Sequence, residues 1–157
     1  MTDGIEILIA DDSESDVELT VHALRKAKLA NSIHIVEDGE QALDYLFCRA
    51  RYDHREFTSP PRVVLLDLKM PKVDGIEVLR AIRGDARTKA IPVVVLTSSN
   101  EQRDLIESYN LGVNAYIQKP VDFEHFRAVI ERIGMFWLVV NEPPPSDCFS
   151  CEAPGRA

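Results

Sequence analysis

A pair of acids, Asp11-Asp12, a single acid, Asp67, a hydroxyl pair, Thr97-Ser98, and a lysine with its proline, Lys119-Pro120, each stand directly after a short apolar run. Three carboxylates held together repel one another at neutral pH unless a cation neutralises them, and a hard divalent ion such as Mg2+ accepts a few carboxylates plus water. Such an ion draws off charge, so an anionic phosphoryl group can approach Asp67, whose carboxylate can attack phosphorus and form an acyl phosphate. Lys119 then offers a point charge to the phosphoryl oxygens, and the Thr97 hydroxyl, with Ser98 beside it, offers a hydrogen bond. The turn at Met70-Pro71 follows Asp67 and places backbone groups around it. Taken singly, each group has an ordinary structural role. Asp11-Asp12-Ser13 suits a helix start, Thr97 a strand end, Lys119 a solvated surface, and Asp74-Gly75 a turn. Their ordered appearance at four strand ends is what favours the chemistry.

The elements that must position these groups are legible as periodicity. IEILIA at 5–10, SIHIV at 32–36, VVLL at 63–66, VVVLT at 93–97 and AYIQ at 115–118 are short, β-branched-rich strands. Helical stripes alternate with them: Val17, Val21 and Leu24; Ala42, Leu43, Leu46 and Phe47; Ile76, Leu79 and Ile82; Leu105, Ile106 and Tyr109; and Phe126, Ile130, Ile133 and Trp137. Ser99, with Gln102 three residues on, predicts the cap of the fourth helix. The strands are near-continuously apolar rather than alternating, so they predict a parallel sheet covered by helices on both faces, a doubly wound α/β domain. In such sheets the site forms beyond the carboxyl ends of the strands, where the candidate groups stand. The segment 48–62 reads as a surface loop closed by Pro60-Pro61.

The 157 residues, 45% of them hydrophobic, suffice for one ordinary core, expected over 1–140. A proline-rich tail over 141–157 is expected to be disordered, with no output domain after it. Eighteen basic against twenty-six acidic residues give a charge of -8, which repels a phosphate backbone and argues against a nucleic-acid partner. The apolar run near the start is too short for a leader or a span, so the reading is cytoplasmic with no membrane partner. The odd number and scatter of Cys48, Cys148 and Cys151 suit a reducing compartment better than a disulfide framework, and Cys148-Phe149-Ser150-Cys151 has the spacing of half a zinc site or a redox pair but lies beyond the prolines with no second pair of ligands. The four histidines, His22, His34, His54 and His125, sit in unrelated segments and read as surface or half-buried side chains.

With these motifs in view, the chain resembles the receiver domain of two-component response regulators from Ile5 to about Val140. The resemblance rests on Asp11-Asp12, on LLDLKMPKVDG with Asp67, on LTSS with Thr97, and on YIQKP with Tyr116, Lys119 and Pro120. It implies a five-stranded sheet in the flavodoxin-like order 2-1-3-4-5. It implies phosphoryl transfer from a sensor histidine kinase to Asp67, with Mg2+ held by Asp12, Asp67 and the backbone carbonyl of Lys69, and Asp11 assisting. It also implies a cis peptide between Lys119 and Pro120, and a switch in which the Thr97 hydroxyl moves inward and the Tyr116 ring fills the space it leaves. That switch would repack the face of the fourth and fifth βα units for an unidentified downstream protein.

The loop CRARYDHREFTSPPR and the ending GMFWLVVNEPPP resemble stand-alone receivers that partner bacterial phytochromes. The apolar run Met135 to Val140 is too continuous for a helix with one buried face. It either folds back on its own domain or docks a second copy through Phe136 and Trp137, and the homodimer is the expectation. Other classes stay in view. A phosphoaspartate-forming phosphatase of the haloacid-dehalogenase type would need an acid where Lys69 stands, and a flavodoxin would need a glycine- and hydroxyl-rich phosphate loop where Asp11-Asp12 stands. A scaffold that works without phosphorylation would be expected to lack one of the acids or the lysine. The expected protein is a signalling domain that catalyses only its own phosphorylation and dephosphorylation.

Overall fold

A computed structural model describes residues 7–29 and 32–150. In chain order it contains β1 (Ile7–Ala10), α1 (Glu14–Lys26), β2 (Ile33–Val36), α2 (Gly39–Leu46), β3 (Val63–Leu66), α3 (Gly75–Arg83), β4 (Val93–Thr97), α4 (Gln102–Asn110), β5 (Ala115–Gln118) and α5 (Phe123–Gly134). The strands form one parallel sheet in the order β2-β1-β3-β4-β5. The expected doubly wound architecture is therefore present, although Ile5 and Glu6 of the first expected strand lie outside the described residues.

Both faces of the three central strands, β1, β3 and β4, are buried, which is why they do not alternate in polarity. Leu8, Ala10, Val64, Leu66, Val93 and Val95 point into a core shared with α2 and α3 through Tyr45, Leu46, Val78, Leu79 and Ile82. Their sequence neighbours Ile7, Ile9, Val63, Leu65, Val94 and Leu96 point the other way, against Ala23, Leu24, Phe126, Ile130 and Ile133 of α1 and α5. Side-chain caps set the helix starts. Ser13 accepts from the N–H of Asp16, Asp38 from Gln41, Asp74 from Glu77 and Asp122 from His125. Asp74-Gly75 is thus more than a turn, because it starts α3 directly behind the Asp67 loop. A Cβ on Gly75 would lie 2.3 Å from the Asp67 carbonyl oxygen, so only glycine lets the helix start approach the loop so closely.

The α2–β3 connection is more than a surface loop. It contains a 3-10 turn, Ala50–Tyr52, that buries Tyr52. His34 of edge strand β2 stacks on Tyr45 with ring centroids 4.5 Å apart and shares a 2.9 Å hydrogen bond with Tyr52 Oη. Arg55 caps the cluster, its guanidinium 3.8 Å from the Tyr45 ring centroid and donating to the Tyr45 carbonyl. Burial, followed by the charges of Arg55 and Arg51, holds His34 below its ordinary imidazole value. The unfolded chain therefore protonates His34 at a higher pH than the native protein does. Its contribution is complete above about pH 6.5 and is lost as pH falls through the depressed native value. The stability gap between the wild type and His34→Gln is expected to shrink on acidification. Urea unfolding at about pH 7.5 and about pH 5 reads this directly, and parallel stability curves would remove His34 as the cause.

Two helical expectations are corrected. The fourth helix starts at Gln102 with Glu101 as N-cap and no side-chain cap, and Ser99 instead gives its hydroxyl to Asp104 Oδ2 at 2.6 Å. Its apolar stripe also faces outward: Leu105, Ile106 and Tyr109 are 39%, 53% and 56% exposed, while Asp104 and Ser108 are buried. A charged and hydrogen-bonded anchor outweighs the apolar pattern here, because a buried carboxylate needs fixed partners. After α5 the chain winds into a π-helical segment, Met135–Val140. The wider turn buries Leu138 and leaves Trp137 half-buried, while Met135, Phe136, Val139 and Val140 stay exposed.

The prolines after this arm do not open a disordered tail within the described residues. A 3-10 turn, Ser146–Phe149, follows Pro145, and Phe149 is buried in the core on the α2/α3 side. Cys48 and Cys148 are free thiols, and Cys151 lies outside the described residues.

Candidate functional site

Strand register brings the candidate groups together. Ala10 pairs with Leu66, so Asp11 and Asp67 leave adjacent strands side by side. Leu66 pairs with Val95, which carries Thr97 just past Asp67, and Thr97 pairs with Gln118, which places Lys119 next. The backbone closes the rim. The Asp67 N–H donates to the Ala10 carbonyl at 2.9 Å, and the Lys119 N–H donates to the Thr97 carbonyl at 2.7 Å.

Asp67 is 5% exposed and fully engaged. Its Oδ1 accepts from the Thr97 hydroxyl at 2.8 Å and from the Lys69 N–H at 3.2 Å, and its Oδ2 accepts from Lys119 Nζ at 3.1 Å. Lys119 Nζ also donates to Asp11 Oδ2 and to Asp16 Oδ2, each at 2.8 Å. Asp16 is the member that sequence reasoning missed, because an acid in the first turn of a helix is already explained by the helix dipole. Burial pushes Asp11 up to about 6, opposed by its hydrogen bonds from Lys119 and Ser13. Burial also disfavours the Lys119 ammonium, but hydrogen bonds to Asp11 and Asp16, with the Asp67 charge, outweigh it and hold the lysine above its ordinary value.

Asp11, Asp12 and Asp67 each offer a carboxylate oxygen, all within 4.8 Å of one another, with Asp12 exposed at the mouth. With Asp16 the rim carries four carboxyl groups against the one ammonium of Lys119, a formal net charge of -3. Hard oxygen donors with that excess fit a divalent cation, which would reduce it to about -1. Ser98 is exposed, and no polar contact ties it to Asp67 among the described residues. Lys69 turns its side chain away from the rim, with Nζ 3.2 Å from Glu101 and 3.6 Å from Asp104. The Tyr116 hydroxyl donates to the Ser99 carbonyl at 3.3 Å, and the Ser99 N–H donates to Thr97 Oγ1 at 3.2 Å. The Thr97 hydroxyl is therefore already turned inward, and Tyr116 already reaches Ser99.

The expected cis bond before Pro120 is absent: among the described residues no peptide is cis. The trans form is the lower-energy one for X–Pro, by about 0.5–1 kcal/mol. In the trans geometry Lys119 makes its hydrogen bond to Thr97 and its three contacts to carboxylates.

An open parallel sheet that ends in a buried carboxylate, held between a hydroxyl and an ammonium beside two further acids, defines a doubly wound domain with an acidic site at its strand ends. The response regulator receiver domain model matches residues 7–131, and the chain belongs to that family. The probable methanogenesis regulatory protein FilR2 of Methanothrix harundinacea is 41% identical over 90% of this chain and 89% of its own. The bacteriophytochrome response regulator RtBRR is 51% identical, with a TM-score of 0.69 over 89% of this chain and 84% of its own. The phosphorylated cyanobacterial phytochrome response regulator RcpA is 35% identical, with a TM-score of 0.84 over 90% of this chain and 99% of its own.

Proposed function

We propose that this receiver domain accepts a phosphoryl group on Asp67 from a sensor histidine kinase in the cytoplasm and passes the signal on by protein contact. The observation that carries this reading is the buried Asp67 carboxylate held by Thr97, Lys119 and the Lys69 N–H, with Asp11 and Asp12 alongside. An Asp67 oxygen attacks the phosphorus of a phosphohistidine, the P–N bond breaks, and the imidazole leaves with a proton from solvent. Lys119 and Thr97 hold the phosphoryl oxygens in place, and Ser98 stands at the mouth to add a further hydroxyl. Asp12, Asp67 and the Lys69 carbonyl would hold Mg2+, with Asp11 assisting. When bound, the ion supplies charge neutralisation that lets the anionic group approach. Lys69, paired with Glu101 and Asp104, leaves no acid two residues after Asp67, which favours a phosphoprotein over a phosphatase.

The inward Thr97 and the Tyr116–Ser99 contact make the output step a population shift. The phosphoryl group would stabilise an arrangement within reach of the free protein rather than create a new one. Exposed Leu105, Ile106 and Tyr109 on α4, with Phe123 at the start of α5, offer the downstream partner an apolar surface across α4, β5 and α5. The likeness to RtBRR and RcpA supports a bacterial phytochrome as the kinase. Incubation with Mg2+ and a small-molecule acyl phosphate is expected to add one phosphoryl mass by intact-protein spectrometry. No gain, with Mg2+ bound, would return the domain to a scaffold that works without phosphorylation.

A homodimer forms part of the same reading. Phe136 is 47% exposed and packs edge-to-face on Trp137 at 4.9 Å, next to a groove of about 410 Å³ between α5 and the arm. The same patch on a second copy can fill that groove under two-fold symmetry. Sedimentation is expected to show a dimer for the native chain and a monomer for Phe136→Glu, which places a charge at the contact. A native chain that stays monomeric at high concentration, phosphorylated or not, would return the arm to its own domain.

A further inference from the structure

The three N–H donors of the Lys119 ammonium are all used, at 2.8 Å to Asp11 Oδ2, 2.8 Å to Asp16 Oδ2 and 3.1 Å to Asp67 Oδ2. Two of these acceptors also belong to the carboxylate cluster that fits a divalent cation, so cation and ammonium compete for Asp11 and Asp67. Asp16 lies outside that cluster. The Lys119 side chain is only 7% exposed, so an ammonium displaced from both shared carboxylates could not reach bulk water from where it stands. We propose that Asp16 is a positioning residue for Lys119: its carboxylate keeps the ammonium at the rim when a divalent cation takes over Asp11 and Asp67, so that metal and lysine can occupy the site together. This inference rests on the metal and phosphoryl reading above.

The carboxylate of Asp16 is free for this task. The residue's helix-start contacts are made by its backbone, with its N–H donating to Ser13 Oγ at 3.4 Å and its carbonyl accepting from Thr20 Oγ1 at 2.8 Å. Asp16→Asn therefore removes the charge and keeps the cap. At 29% exposure the side chain reaches the site from its edge.

The test is calorimetric titration of Mg2+ into the wild type, Asp16→Asn, Asp16→Glu, Lys119→Met and the Asp16→Asn/Lys119→Met double variant, with melting curves to show that each is folded. Asp16→Asn is expected to weaken Mg2+ binding about tenfold, the low end of the scale for groups that act on a metal site from outside its ligands, because the unheld ammonium then stays on Asp11 and Asp67. Asp16→Glu restores most of that loss. In the Lys119→Met background, where no ammonium needs holding, the Asp16→Asn loss falls to about twofold or less. An equal loss with and without Lys119 would mean that Asp16 acts by its own field or as a ligand, and overturns the positioning role alone. A wild type that binds no Mg2+ overturns the metal reading itself, and the inference with it.

Discussion

Asp67→Asn is expected to lower phosphoryl uptake from an acyl phosphate by at least about three orders of magnitude, the scale on which enzymes lose rate when a nucleophile is removed. An amide is isosteric with the carboxylate but is a far weaker nucleophile, so the shape survives and the chemistry does not. Its oxygen can still accept from the Thr97 hydroxyl and the Lys69 N–H, as Oδ1 does at 2.8 and 3.2 Å. Its nitrogen would face Lys119 Nζ, which keeps Asp11 and Asp16 as partners. The variant also removes one negative charge from a rim that carries an excess of them, so the fold is retained and loss of uptake cannot be put down to unfolding. Intact-protein mass after matched incubations reads the result, with a melting curve on the same sample. Uptake by the variant at the wild-type rate would mean that another group accepts the phosphoryl, and the proposed chemistry would move with it.

The rim was legible because chemistry in a doubly wound sheet gathers where strands end. Four of the five strands end in a polar residue after an apolar run, so Asp11, Asp67, Thr97 and Lys119 can be placed from the sequence, and register brings them within hydrogen-bond reach. Asp16 was not legible. It reaches the site because the first turn of α1 packs beside the end of β5, where Lys119 stands 103 residues away in the chain, a contact no local pattern carries. The α4 stripe failed for a related reason. Leu105, Ile106 and Tyr109 have helical spacing, but spacing says that a helix has an apolar side and not that the side is covered. What decided the orientation was the Asp104–Ser99 hydrogen bond at 2.6 Å, reinforced by Lys69, a link between segments that no local pattern carries.

The end of the chain shows the same limit at larger scale and gives the second large expected effect. Three prolines and a short polar stretch carry no periodicity, so burial of Phe149 could not be inferred from Pro143 to Cys148. Yet Phe149 is only 2% exposed among the side chains of the α2/α3 core, with half-buried Cys148 packed against the same cluster. The arm that leads there is tied on its way, since Arg62 Nη1 donates to the Leu138 carbonyl at 2.8 Å. The prolines lower the ordering cost of the crossing because their φ is already fixed in the unfolded chain. Phe149→Ala is expected to lower the unfolding free energy by about 3 kcal/mol, the lower end for truncating a buried phenylalanine, because the segment can detach instead of leaving a full cavity. A chain ending at Asn141 should lose about the same amount and not more, since the segment's contribution is carried by that one ring. Urea unfolding measures both, and alkylation of Cys148, mapped by peptide mass, should be slow in the native protein and fast in Phe149→Ala. If both variants unfold within about 0.5 kcal/mol of the wild type, the ring is seated without holding the fold, and the segment contributes nothing to stability.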